Sequence, residues 1–510
     1  MIKLTTNVDL NDGTTNKIDC WENCAASAYN SVMYTGNWAA AYSDDGGNTF
    51  ATLDPYGLCK IFKENFQSDQ VVIYIPQVDR FAWVLQTDGN YILAVASPKD
   101  LSNSKGKDWT AWLVKASTFG KDDEKGDFPE VAVGDHFLYW SFDLTKSGAP
   151  VRSVGIRVWL NELREGRLKM DYFHGQVNMR CVQNTGDVGY FAAQNNPSEL
   201  CIYAWPEALY VVPYFNVGIA TIPTEDFEMQ TPSTMPWLPP ERKWNNKNIN
   251  SKISWRITGA TLTGTQVWLA WSGARRVATQ KNNTFRCPHI GIAVIDVLLE
   301  QLIEQRYLMN PEFGFAWPSL ATNGVGDVGI SCCFGGGARD PQYAVGVLTG
   351  PDNSLVQVTN TPLTTGSGGH YVSVRPAFPS KTDFCGAGNV LVAGKDLVKD
   401  DQISHPHFVR FGVVQVPRIE VITNRQFSSI DVSGSGFTPN KRVNLYVDGL
   451  VGTVNPLAIG FANTASDGTF TFHKDVACWA GQNEVATVRA VDAAATGRVA
   501  TDWTPAYWCY

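Results

Sequence analysis

The chain has 510 residues, 44% of them hydrophobic and 18% charged, with a formal net charge of −8. That is enough apolar material for a large core and argues against disorder. The acidic balance argues against a nucleic-acid partner, whose phosphates need a basic face, and no stretch approaches the ~20 apolar residues of a membrane-spanning helix.

In chain order, seven segments repeat one idea: "WENCAASAYNSVMYTGNW" (21–38), "DQVVIYIPQVDRFAWVLQ" (69–86), "PEVAVGDHFLYWSFD" (129–143), "QVNMRCVQNTGDVGYFAA" (176–193), "SWRITGATLTGTQVWLAWS" (254–272), "PSLATNGVGDVGISCCF" (318–334) and "YVSVRPAFPSKTDFCGAG" (371–388). Each reads as a strand of small or β-branched residues, a polar turn often carrying Gly or Asp, and an aromatic-rich strand, which predicts a repeated hairpin. The spacing, about 48 to 78 residues, suits four-stranded units with unequal loops. Helical periodicity is nearly absent; the one good candidate is "AVIDVLLEQLIEQRYL" (293–308), with strand followed by an insertion as the other reading. "FVRFGVVQV" (408–416) is the expected last strand of the array, able to close it with N-terminal sequence. Beyond "QVPRIEV" the texture changes to alternating strands with Ser-Gly, Pro-Asn and Asp-Gly turns, which predicts a separate β-sandwich. The expected fold is therefore all-β: a seven-bladed β-propeller over 1–417, with six blades as the alternative, followed by a small β-sandwich over 418–510.

The run "YSDDGGNTF" carries Ser43, Asp45, Gly47, Thr49 and Phe50 in the pattern S-x-D-x-G-x-T-[FW]. This resembles the Asp-box of sialidase-like β-propellers. A degraded copy follows 59 residues later in "SNSKGKDWT", with Ser102, Gly106 and Trp109 in place and Ser104 where the aspartate would be. The expectation is that Asp45 and the hydroxyls bond local N–H groups, the glycines take positive φ, and the aromatic packs between blades. Asp45 is then structural. "TGNWAAAYSDDGGNTF", "SDQVVIYIPQVDRFAWVLQ" and "GSGGHYVSVRP" further resemble segments of a broad group of bacterial propellers with a W-G-D-Y-type segment, here with His370 where Asp would stand. "SGSGFTPN" resembles the opening of immunoglobulin-like modules on secreted carbohydrate-active proteins. The resemblances imply an extracellular or cell-surface protein that binds a carbohydrate or glycoconjugate through a central funnel, with a cell-surface or protein partner for the C-terminal module. The N-terminus has no signal-peptide h-region.

Aligning the seven first strands puts Glu22, Asp69, Glu130, Gln176, Ser254 or Arg256, Ser319, and His370 or Tyr371 at comparable places. Three carboxylates near one axis could repel, raise a pKa, or hold calcium, the one cofactor they suggest; as polar residues at strand starts they could equally cap a water-filled channel. A sialidase-type glycosidase would use Arg256, Arg339 and Arg375 to clamp a carboxylate, Tyr371 as nucleophile, Glu22 or Glu130 beside it, and Asp69 as acid; the N-terminal arginine motif of that family is missing. His370 and Tyr371 could alternatively serve a polysaccharide lyase, and a protein-interaction scaffold needs none of these. His405 and His407 in "SHPHF" could bind a metal, but the intervening Pro makes a plain surface loop the expected reading. Trp205, Trp237, Trp244 and Trp271 could stack on sugars or fill the core. The eleven cysteines are scattered, with Cys478 and Cys509 the expected pair if disulfides form.

Overall fold

A computed structural model describes residues 2–11, 18, 20, 22–222, 256–274, 285–337, 339–349, 355–358, 372–393, 402–413, 418–423, 429–448, 457–466, 468–475, 487–494 and 499–503. The chain forms two compact units, Ile2–Gly412 and Val413–Tyr510.

In the first unit, seven four-stranded sets follow one another among the described residues: 24–53, 66–114, 125–175, 180–218, 257–308, 314–357 and 373–413, the last completed by Ile2–Asp9. Each segment expected to be a hairpin supplies the first two strands of one set, as in Phe66–Ile75 with Arg80–Thr87 and Phe137–Lys146 with Lys125–Val133. Apolar clusters link the sets in order. One spans the first three, and others join the third to the fourth, the fourth to the fifth, the fifth to the sixth, and the last to the first. The sixth and seventh meet where Tyr343 and Phe384 lie close against glycines 388 and 329. A succession of antiparallel sheets that packs face to face and returns to its start is a β-propeller.

Closure is double. The first strands of the last and first blades pair in parallel, Ser27 with Ala377 and Ala28 with Phe378. The N-terminal strand Ile2–Asp9 lies beside Gln402–Val413 as the outermost strand of the last blade. His405 Nδ1 meets Asp9 Oδ2 at 2.6 Å, His407 Nδ1 meets Asn7 Oδ1 at 3.0 Å, and Leu10 N–H donates to the Pro406 carbonyl. The histidines of "SHPHF", expected on a surface loop, instead lie in the strand Gln402–Val413, with His407 buried, and form part of the latch.

The helical candidate at 293–308 is instead strand, turn and strand, His289–Asp296 and Gln301–Leu308. Asp296 decides it. Its Oδ1 accepts from the N–H groups of Leu298 and Leu299, its Oδ2 accepts from Thr265 Oγ1, and Glu300 takes φ +54°. An Asp side chain competing for backbone donors breaks the helix that its neighbours favour.

The 42–50 turn joins the third and fourth strands of the first blade. Asp45 Oδ1 accepts from Ser43 Oγ, Asn48 N–H and Thr49 N–H, and Oδ2 accepts from Thr49 Oγ1, all at 2.7–3.0 Å. Gly47 sits at φ +89°, and a Cβ there would come within 2.2 Å of the Phe408 ring; Phe50 packs edge-on against that ring and Tyr34. Burial works against the Asp45 charge, but the bonds from Thr49, Ser43 and Asn48 hold its pKa down at about 2. One blade later Ser104 does the same work with a hydroxyl. It accepts from Lys107 and Asp108 N–H, the positions 59 residues on from Asn48 and Thr49, and Trp109 packs on Trp83.

The second unit is a small β-sandwich. A three-stranded sheet (Arg418–Thr423, Ser429–Ser435, Phe470–Asp475) faces a four-stranded one (Leu457–Asn463, Arg442–Asp448, Thr487–Asp492, Val499–Trp503). Alternate residues such as Ile430, Val432, Leu445, Val447, Val488 and Ala490 meet in one core, the period-two burial of a sheet with one wet face.

Candidate functional site

The first strands of the blades converge on a central cavity, and a backbone device aims their side chains. Glu22, Phe128, Asn178 and Trp317 all take left-handed φ between +56° and +63° at the start of, or within, a first strand. In Phe128 and Trp317 the kink coincides with a slip in strand register, between Asp127 and Glu130 and between Ala316 and Ser319. A proline follows each, a residue that a bulge tolerates because it needs no ladder donor. Positive φ is costly for bulky side chains. Its return at four blades is what turns Cys24, Glu130, Arg180 and Ser319, each two residues further on, toward one space.

That space measures about 50 Å³, room for a polar substituent or a water or two rather than for a whole small molecule, whose sites run to ~300–1,000 Å³. Around it lie Glu22, Asn23, Asp69, Glu130, Arg375 and Trp317. Hydroxyls stitch the wall together: Ser319 Oγ accepts from Val374 N–H, Ser373 Oγ from Ala25 N–H, and Thr258 Oγ1 donates to the Pro318 carbonyl.

Three charge groupings divide the wall. Arg375 is buried and donates through Nη2 to Glu130 Oε1 at 2.7 Å. Asp143, also buried, accepts from Arg180 and Arg256 at 3.4 and 3.2 Å, from Asn178 N–H, and from Ser153 Oγ; both guanidinium groups lie over the Phe128 ring, at 3.6 and 4.0 Å. The third grouping sets two carboxyl groups together. Asp69 and Glu22 share a hydrogen bond, and Glu22 also accepts from Asn37 Nδ2 at 3.0 Å. Burial first, then the Glu22 carboxyl and Asp127, push the Asp69 pKa well above the usual carboxylate range. Beside the pair, the Asn23 amide is buried with Oδ1 taken by Cys20, while its Nδ2 has no hydrogen-bond partner among the described residues.

Of the residues singled out from sequence, the structure brings Glu22, Asp69, Glu130, Ser319 and Arg375 to one cavity. It engages Arg375 and Arg256 with carboxylates of the chain itself. Gln176 is not on the cavity wall; its N–H donates to Tyr203 Oη, and Arg180 stands in its place. The fourth blade's first strand is only Arg180–Cys181, so an alignment on strand starts slips there. Ser254, His370, Tyr371, Trp237, Trp244, Cys478 and Cys509 lie outside the described residues, as does the Arg339 side chain. Trp205 and Trp271 are core, and nine described cysteines are buried free thiols. Among the described residues no group of three or more His, Cys, Asp or Glu is placed to hold a metal. Sequence reasoning missed Asp143, Asn23 and Arg180. An Asn or aromatic two residues before a polar strand position, as in Asn178–Arg180 and Phe128–Glu130, is the signal that would have found the last.

No protein-family model matches the chain, and no curated protein does. Solved structures with similar shape include a fungal alcohol oxidase of the AA5 family in complex with copper, at 9% identity over 99% of both chains and a TM-score of 0.43. YCF48 from Cyanidioschyzon merolae matches at 10% identity over 80% of this chain and 99% of its own, TM-score 0.39. The α-L-arabinanase of Penicillium chrysogenum complexed with arabinobiose matches at 9% over 80% and 92%, TM-score 0.28. Likeness at this level assigns no function, and the fold stands on the strand topology.

Proposed function

We propose that the propeller binds a glycan at the mouth of its central cavity and does not cleave it there. The observation that carries this reading is the Glu22–Asp69 pair beside the Asn23 Nδ2, which has no hydrogen-bond partner among the described residues. A carboxyl that keeps its proton donates, its neighbour accepts, and an amide N–H is left over, which together suit the hydroxyl groups of a sugar substituent. The same contact speaks against a glycosidase built on these two groups: carboxyls that flank a glycosidic bond stand ~5 Å or more apart, and these touch. Glu130 is held by Arg375 and is not free to act as a base.

The test is retention on a glycan array by the wild type and by Asp69→Asn, with reducing-end and unsaturated-product assays on every retained glycan. The reading expects retention without product and a loss of at least tenfold in the variant. Product formation would replace it with the glycan-cleaving alternative, and retention equal in both proteins would remove the cavity from the binding site.

A further inference from the structure

At the other end of the first strands, the turns of the second, third and fourth blades surround a groove of about 700 Å³. Its floor and one wall are built around Arg157, which is buried. That guanidinium is fixed by Asp171 at 3.0 and 3.2 Å and donates to the carbonyls of Pro206, Glu207 and Leu209. It lies 4.5–5.6 Å from the centres of the Phe137, Trp159, Trp205 and Tyr210 rings. Trp205 Nε1 adds a further bond to the Leu209 carbonyl. The loop held in this way is apolar and turned outward: Leu209, Tyr210, Val211 and Tyr214 are 52–79% exposed. An exposed apolar run is a marker of an interaction surface, and this one is pre-ordered, so a partner would not have to freeze it.

The groove's charges set the partner's sign. His136 Nδ1 lies 2.7 Å from Glu207 Oε2, so these two groups are engaged with each other, and Arg164 lies beside Glu165. Asp135 and Asp187 line the groove from the turns of the third and fourth blades, and among the described residues neither carboxylate has a hydrogen-bonding or ionic partner.

We propose that this groove docks an extended protein segment that places a lysine or arginine side chain between Asp135 and Asp187 and an apolar side chain on the Leu209–Tyr214 loop. Two carboxylates without partners of their own make a favourable environment for a cation, and the loop supplies apolar area. The site shares no residue with the central cavity, so the proposal stands or falls independently of glycan binding.

The experiment uses the full chain and eight-residue peptides with apolar flanks and a fixed central Arg, citrulline, Ala or Glu. The Arg peptides are expected to bind at least tenfold tighter than their citrulline and Glu counterparts, with the gap narrowing as salt is raised. Asp135→Asn with Asp187→Asn is expected to remove that preference, Tyr210→Ser to weaken all peptides, and Asp69→Asn to change nothing. Wild-type protein that fails to distinguish Arg from citrulline overturns the proposal without reference to any variant. So does a preference that survives the double substitution.

Discussion

Two acidic places in the propeller behave in opposite ways. At the 43–50 turn every oxygen of the Asp45 carboxylate is used by its own loop, and its pKa falls to about 2. At the central cavity Asp69 faces another carboxyl, its pKa rises, and the adjacent Asn23 Nδ2 is left without an acceptor. The first arrangement has nothing left to offer a ligand and stabilises the fold. The second is a poor way to stabilise a fold, because desolvated like groups and an orphaned donor both cost free energy. A polar cluster's unspent bonds, rather than its charge, mark it as available.

That contrast can be broken from the structural side first. Asp143→Ala would leave Arg180 and Arg256 buried without their carboxylate and is expected to cost ~3–5 kcal/mol, read as a large fall in the denaturant midpoint. Asp45→Ala removes a satisfied set of turn bonds and is expected to cost ~1–2 kcal/mol; Gly47→Ala should also lower the midpoint, through its positive φ and the approach to Phe408. Because the Asp45 pKa is depressed, its contribution is complete above pH ~4 and fades as pH falls toward about 2.

The latch offers a pH test of similar size. Burial lowers the pKa values of His407, which faces Asn7, Asp9 and His405, and of His289, stacked on Phe285, to about 4. Below pH ~6.5 the unfolded chain takes up protons that these folded histidines refuse. Stability therefore falls as pH drops from 6.5 to about 4, by up to ~1.4 kcal/mol per unit for each. Thermal melts of the wild type and His407→Phe across that range check it; the variant should show the shallower slope. The smallest effect on stability belongs to Asp69→Asn, within ~1 kcal/mol in either direction, since the amide keeps the shape and hydrogen-bonding capacity of the group it replaces.

How much could be read beforehand follows the same division. The seven hairpins were legible because period-two burial and polar turns are local, and the Asp45 turn because its bonds run over a few residues. Ring closure was half legible, in "FVRFGVVQV" as a last strand able to close with N-terminal sequence. Asp143 was not: its partners Arg180 and Arg256 lie in other blades, and a lone Asp in "YWSFDLTK" reads as a strand's wet face. Gln176 was assigned for want of knowing that the fourth blade's first strand is two residues long. In 293–308 an apolar period compatible with a helix hid a turn made by Asp296 and a threonine 31 residues away.

The central claim is best tested by measuring melting and glycan retention together on two variants, Asp45→Ala and Asp69→Asn. The account expects a crossed result: the first variant melts lower and keeps its glycan, and the second melts as the wild type does and loses it. Loss of stability in Asp69→Asn comparable to that of Asp45→Ala, with glycan retention intact, would contradict it.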